Sequence, residues 1–122
     1  MIVLLLAALL GAVGCGHPLQ RRLEGRWFGE SVENVESEQL AMVTGWVKGM
    51  SMEFAGDQLT VMVPLEEPRT GKYEVVHARE NDITLAVSGA EGRIDTAHFI
   101  LDDTDSIRMK LGRGRTMVLR RE

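Results

Sequence analysis

A single cysteine, Cys15, is all the thiol chemistry of this chain. One cysteine cannot close an intramolecular disulfide, so even in an oxidising compartment the fold rests on its core alone. Nor does one thiol make a recognisable zinc spacing with His17, His77 and His98, which lie far apart in sequence. Proline is scarce, at 3 residues, and with 13 glycines among 122 residues the composition is that of one ordinary globular domain, not of a fibrous or disordered segment. An excess of positive charge is lacking too. The 14 basic residues against 18 acidic ones leave a formal net charge of −4, which excludes the overall basic field that recruits nucleic acid.

Catalytic signatures are equally absent. The chain holds no G-x-S-x-G, no Walker loop and no G-x-G-x-x-G, and "GRGR" at 112–115 reads as a hairpin turn. Ser51, Ser88 and Ser106 have no histidine at a suggestive spacing. The stretch from Asp102 to Ser106 has the acidity of a calcium loop but lacks the glycine and the distant glutamate of an EF-hand, so it reads as a turn. No metal, cofactor or catalytic group is expected, and the protein reads as non-enzymatic.

What is present begins at the N-terminus. "MIVLLLAALLGAVG" carries no charge, and the chain then turns polar through "QRRLEGR". The run is too short for a bilayer span, which needs about 20 residues, but it fits the apolar part of a secretory signal. The junction Ala12-Val13-Gly14-Cys15 resembles the lipobox of bacterial lipoprotein signal peptides. That resemblance implies that Cys15 is lipidated and becomes the mature N-terminus. Each buried CH2 of its acyl chains is worth about 0.8 kcal/mol, and two or more chains hold a domain at a membrane stably. Gly16 stands where an inner-membrane retention aspartate would be, which implies the outer membrane, facing the periplasm, in a cell that has one. The expected division is a signal peptide over 1–14, a lipidated N-terminus and tether over 15–23, where Pro18 discourages regular structure, and a domain over 24–122.

Within that domain two periods succeed each other. In "NVESEQLAMVTGWVKGM" the residues Leu40, Val43, Val47 and Met50 recur at spacings of three and four, which predicts a helix of about three turns. Asn34 or Ser37 is placed to cap its start, with Lys48 and Gly49 at its close. After Met50 the period changes to two. Met50, Met52 and Phe54; Leu59, Val61, Val63 and Leu65; Ile83, Leu85 and Val87; Ile107, Met109 and Leu111; and Met117 and Leu119 each form an alternating set. Such patterns predict strands with one buried face. Turn chemistry separates them, in "AGDQ", "EEPRTGK", "END", "SGAEGR", "DDTDS" and "GRGR". The expectation is a mainly β chain, an antiparallel meander of about eight short strands with one helix inserted after the first; periodicity leaves open whether it closes.

The two ends of the meander carry a second resemblance. Gly25-Arg26-Trp27 looks like the G-x-W signature of lipocalins, and Val118-Leu119-Arg120-Arg121 looks like the terminal basic strand whose arginine packs over that tryptophan. The resemblance implies a small closed lipocalin-like barrel, with Gly25, Trp27, Arg120 and Arg121 as its structural signature and Trp27 plugging one end. The chain is shorter than a full lipocalin, and its helix follows the first strand, not the last.

Acidic residues gather early, at Glu24, Glu30, Glu33, Glu36 and Glu38, and basic ones late, at Arg108, Lys110, Arg113, Arg115, Arg120 and Arg121. In a closed meander the two sets meet across the seam; the other reading is a basic patch for anionic lipid or an acidic partner. Two functions follow. One is a membrane-anchored, monomeric lipoprotein that binds a small apolar ligand, with Met52, Phe54, Val61, Val63, Tyr73, Leu85 and Phe99 as the interior candidates. The other is a structural or interaction lipoprotein of the envelope with a filled barrel, an assembly accessory or hydrolase inhibitor, since large inward side chains tend to fill a small barrel.

Overall fold

A computed structural model describes residues 18–89 and 92–122. The signal peptide, the lipidation of Cys15 and His17 lie outside the described residues. From Pro18 the chain makes a one-turn helix, α1 (Gln20–Leu23), and enters β1 (Gly25–Glu33). The inserted helix α2 (Ser37–Lys48) follows, then β2 (Ser51–Ala55), β3 (Gln58–Met62), β4 (Arg69–Arg79), β5 (Asp82–Ser88), β6 (Ile94–Leu101), β7 (Ser106–Gly112) and β8 (Arg115–Arg121). Each strand pairs antiparallel with the next, and β8 pairs back with β1, from Trp27 opposite Arg121 to Glu33 opposite Thr116. The eight strands therefore close into a barrel. Closure pairs both edges that an open meander would leave exposed.

The barrel has two unlike ends. Gly25, the Gly56–Asp57 turn and Arg121 lie at one, which α1 covers. At the other lie α2, the connection from Met62 to Arg69, the segment after Ser88 and the turn between Gly112 and Arg115. The first is the closed end and the second the open end. Inward positions are filled by Trp27, Met52, Phe54, Leu59, Tyr73, Ile83, Leu85, Phe99, Leu101, Ile107, Met117 and Leu119, all buried.

α2 rests on the barrel by its last turn. Val47 is fully buried, and Gly29 of β1 lies directly beneath it: a Cβ at Gly29 would come within 2.0 Å of the Val47 carbonyl oxygen. The Gly29 amide also donates to the carbonyl of Met50 at 3.0 Å. Going back along the apolar stripe, Val43 is half-buried and Leu40 is 43% exposed, so the helix leaves the barrel surface toward its N-terminal end.

Several sequence expectations need correction. The residue before the first turn of α2 is Glu36, with no side-chain cap; Asn34 instead adopts a left-handed conformation and donates to the Gly114 carbonyl at 2.9 Å. The tether is structured at its end, since Gln20–Leu23 is helical and Leu23 is fully buried under Trp27. "EEPRTGK" is not wholly a turn. β4 starts at Arg69, and Arg69 through Lys72 pair with β3, where the Thr70 and Thr60 hydroxyls bond across the strands at 3.0 Å. Leu65 does not continue the alternation of β3, which ends at Met62; it has φ 66 and is fully exposed. Leu111 is 36% exposed, at the open end of β7.

At the seam, Arg120 and Glu30 form an ion pair, with Nη2 donating to Oε1 at 3.3 Å. Arg108 grips Asp102 through Nε and Nη2 at 2.8–3.1 Å. The hydrogen bond from Arg120 holds the Glu30 carboxyl below its ordinary pKa. A carboxyl lowered in the folded state adds stability at pH above its unfolded value, and loses it as pH falls through the folded one. In a carbon-detected NMR titration Glu30 should therefore titrate below the ordinary value for a glutamate, and Arg120→Gln should move it back up toward that value.

Candidate functional site

Both ends of the barrel carry an assembled set of side chains. At the closed end the Trp27 indole N–H donates to the Leu23 carbonyl at 2.8 Å, which ties the plug to α1. The Arg121 guanidinium lies over the Trp27 ring, 4.2 Å from its centroid, an attraction of about 0.5–2 kcal/mol. Its nitrogens also donate to backbone carbonyls, Nη2 to Arg22 at 2.7 Å, Nε to Thr104 at 2.8 Å, and Nη1 to Glu24. Gly25 has φ +119, and a Cβ there would meet Arg121 Nη1 at 2.8 Å, so glycine serves both the backbone and the clamp. Of the expected signature, Gly25, Trp27 and Arg121 are brought together here. Arg120 faces outward on Glu30 and takes no part.

Above the plug the interior is packed. Phe54 meets Tyr73 and Phe99 edge to face, with centroids 5.3 and 6.0 Å apart. Met52 and Leu85 are buried around them, and Val61 and Val63 are partly buried against the same core. Five of the seven interior candidates thus fill the barrel themselves. The Tyr73 hydroxyl is buried with no protein group at hydrogen-bonding distance and angle among the described residues. Burial pushes its pKa up, and the neighbouring Gln20 side chain opposes part of that rise. A buried, unpartnered hydroxyl costs about 1–3 kcal/mol. Tyr73→Phe should therefore leave stability in urea unchanged or raise it by about 1 kcal/mol, whereas a hydroxyl engaged in the fold would show a loss.

A cleft opens at the open end. With a volume of about 770 Å³, it is bounded by Leu59, Val61 and Val87 within the barrel and by Pro68, Arg69, Thr70, Gly71, Gly89, Arg93 and Asp95 around its lip. Residues opposite each other in an antiparallel pair share a face. Arg69 pairs with Val61 and Asp95 with Val87, so a cation and a carboxylate both stand on the inner face of the mouth. Each has an exposed partner, Glu66 at 3.2 Å from Arg69 and Arg93 at 3.6 Å from Asp95. Gly71 gives the wall no side chain at this point.

Val61 is the one interior candidate that lines the cleft. Leu59 and Val87 do so as well, and the period-two alternation places them in phase with Val61 and Leu85. The charged lip is not legible in the sequence, because Arg69, Arg93 and Asp95 lie in or beside stretches that read as turns. Among the described residues no group of three or more His, Cys, Asp or Glu is placed to hold a metal. His98 bonds Asp82 across β5 and β6.

A solved structure of a lipocalin-like protein from Bacteroides uniformis superimposes on this barrel with a TM-score of 0.52 at 14% identity, covering 83% of this chain and 99% of that one. The fold is lipocalin-like. No protein-family model matches the chain, and no curated protein does. The lipocalin-like barrel thus accounts for nearly the whole of that neighbour's length. In the present chain, Trp27 of the G-x-W stretch and Arg121 of the last strand form the contact that the closed end displays.

Proposed function

We propose that this lipocalin-like barrel is a non-enzymatic, monomeric, membrane-anchored lipoprotein that binds a small, mainly apolar ligand in the cleft at its open end. The cleft itself carries this reading. Its volume of about 770 Å³ falls within the roughly 300–1,000 Å³ of small-molecule sites, and its inner wall of Leu59, Val61 and Val87 is apolar with a few polar groups at the lip. The packed Phe54, Tyr73 and Phe99 limit the ligand to the upper part of the barrel. Anchoring rests on the lipobox-like Ala12-Val13-Gly14-Cys15, which points to the cell envelope, at the outer membrane where one exists.

Titration with a fluorescent fatty acid and a retinoid-like dye tests the cleft. Saturable binding is expected for the wild type, and Val87→Trp, which fills the cleft from its wall, should weaken it at least about tenfold, a loss of roughly 1.4 kcal/mol. Absence of saturable binding to the wild type would sink the ligand reading. The same packed interior favours a second reading, an envelope lipoprotein that acts through its surface as an assembly accessory or hydrolase inhibitor. That reading expects Val87→Trp to change nothing.

A further inference from the structure

The described chain begins at the opposite end of the barrel from the cleft, and its position there is fixed. α1 lies across the closed end, where the Gln20 side chain donates to the Gly56 carbonyl at 3.1 Å, and the Gly56 amide in turn donates to the Glu24 carboxylate at 3.1 and 3.2 Å. Arg121 holds the carbonyl of Arg22 from the other side. From Cys15 to Pro18 there are three peptide links, which reach about 11 Å when fully extended. β1 has nine residues, and at about 3.3 Å each, with strands tilted by about 35–45°, the open end stands roughly 20–25 Å above the closed one. The tether is shorter than the barrel is tall.

From this we infer that the anchored protein stands with its closed end on the bilayer and its open end turned to the aqueous compartment, so that the cleft exchanges ligand with a carrier or partner in water and not with its own membrane. The inference rests on the lipid-anchor reading above. An upside-down pose, with the cleft on the bilayer, would require α1 to detach from Gly56 and Arg121. Lying on the side formed by β1, β2, β7 and β8 is opposed by Arg26–Glu53, Arg108–Asp102 and Arg120–Glu30, which are paired in water and would have to lose that water against lipid.

Charge at the closed end has little say. Arg21, Arg22 and Arg26 flank the approach of the chain, but Asp57, Asp103 and Asp105 share that end, so orientation comes from tether length. Met42, Trp46, Met62, Leu65 and Ile94 are exposed apolar side chains toward the open end. They would favour membrane contact if they could reach it. Tether length denies them their own bilayer.

The test uses the full lipidated chain in phosphatidylcholine vesicles containing a lipid with a nickel-chelating headgroup. In that protein the only cysteine is occupied by lipid, so Leu65→Cys at the open end and Asp57→Cys in the β2–β3 turn at the closed end each take a single nitroxide label. Nickel should enhance relaxation at position 57 at least severalfold more than at position 65. Equal or greater enhancement at position 65, on protein that floats with the vesicles, overturns the orientation while leaving the anchor intact. A lipidation-competent chain that does not float overturns the anchor and the orientation together.

Discussion

Trp27→Ala should lower the unfolding free energy by about 3–5 kcal/mol, the usual loss when a fully buried tryptophan is truncated. Three things go at once: a fully buried ring, the hydrogen bond from its N–H to the Leu23 carbonyl at 2.8 Å, and the surface on which Arg121 lies. Leu23 would then cover a void, and α1 would lose its hold on the closed end. Urea unfolding followed by far-UV circular dichroism measures the loss, and a value under about 1 kcal/mol would show that the plug carries no weight. A double-mutant cycle with Arg121→Met, which keeps the aliphatic stem, isolates the stacked contact, with an expected coupling of about 0.5–2 kcal/mol.

The second large effect is expected at a residue with no side chain. Gly29→Val places a branched side chain where the Val47 carbonyl oxygen already stands at 2.0 Å from an ideal Cβ. The last turn of α2 cannot yield without breaking the hydrogen bond from the Gly29 amide to Met50. Overpacking of this kind costs about 1–3 kcal/mol and sometimes more. Here the cost should appear mainly as release of α2. The expected signature is lost amide-exchange protection across 40–50 with the barrel ladders still protected. Equal loss of protection throughout would mean that α2 and the barrel unfold as one unit.

Strand periodicity makes most of the barrel legible in the sequence. Ile83 and Leu85, and Met117 and Leu119, alternate cleanly with less buried neighbours because one face of each strand meets a filled interior, and burial enforces period two. β4 is harder to see. Gly71 and Lys72 break its apolar rhythm, and the first four residues of the strand are mostly exposed at the lip, where side-chain chemistry is free of packing. The closed end is visible through Gly25 and Trp27 because a glycine required by the backbone and a large plug leave a local signature. The cleft is not, since its lip joins Arg69 to Asp95 across strand pairings that no spacing in the sequence encodes. The missing cap of α2 has a simple cause: docking of Val47 and Met50 fixes the helix from its C-terminal end, so the N-terminal end is not required to hold it.

The pairing of β1 with β8 has a consequence for synthesis. Every other junction of the barrel joins strands adjacent in sequence, but this one joins Trp27 to Arg121, across almost the full span of the domain. At about 5–20 residues per second the ribosome delivers the hairpins in order, and none of them can complete the domain. While β8 is still in the exit tunnel, the nascent meander carries two unsatisfied edges and a tryptophan without its arginine. Closure of the barrel therefore waits for β8, and a chain cut short within that strand would have made nearly all of its turns and be unable to close.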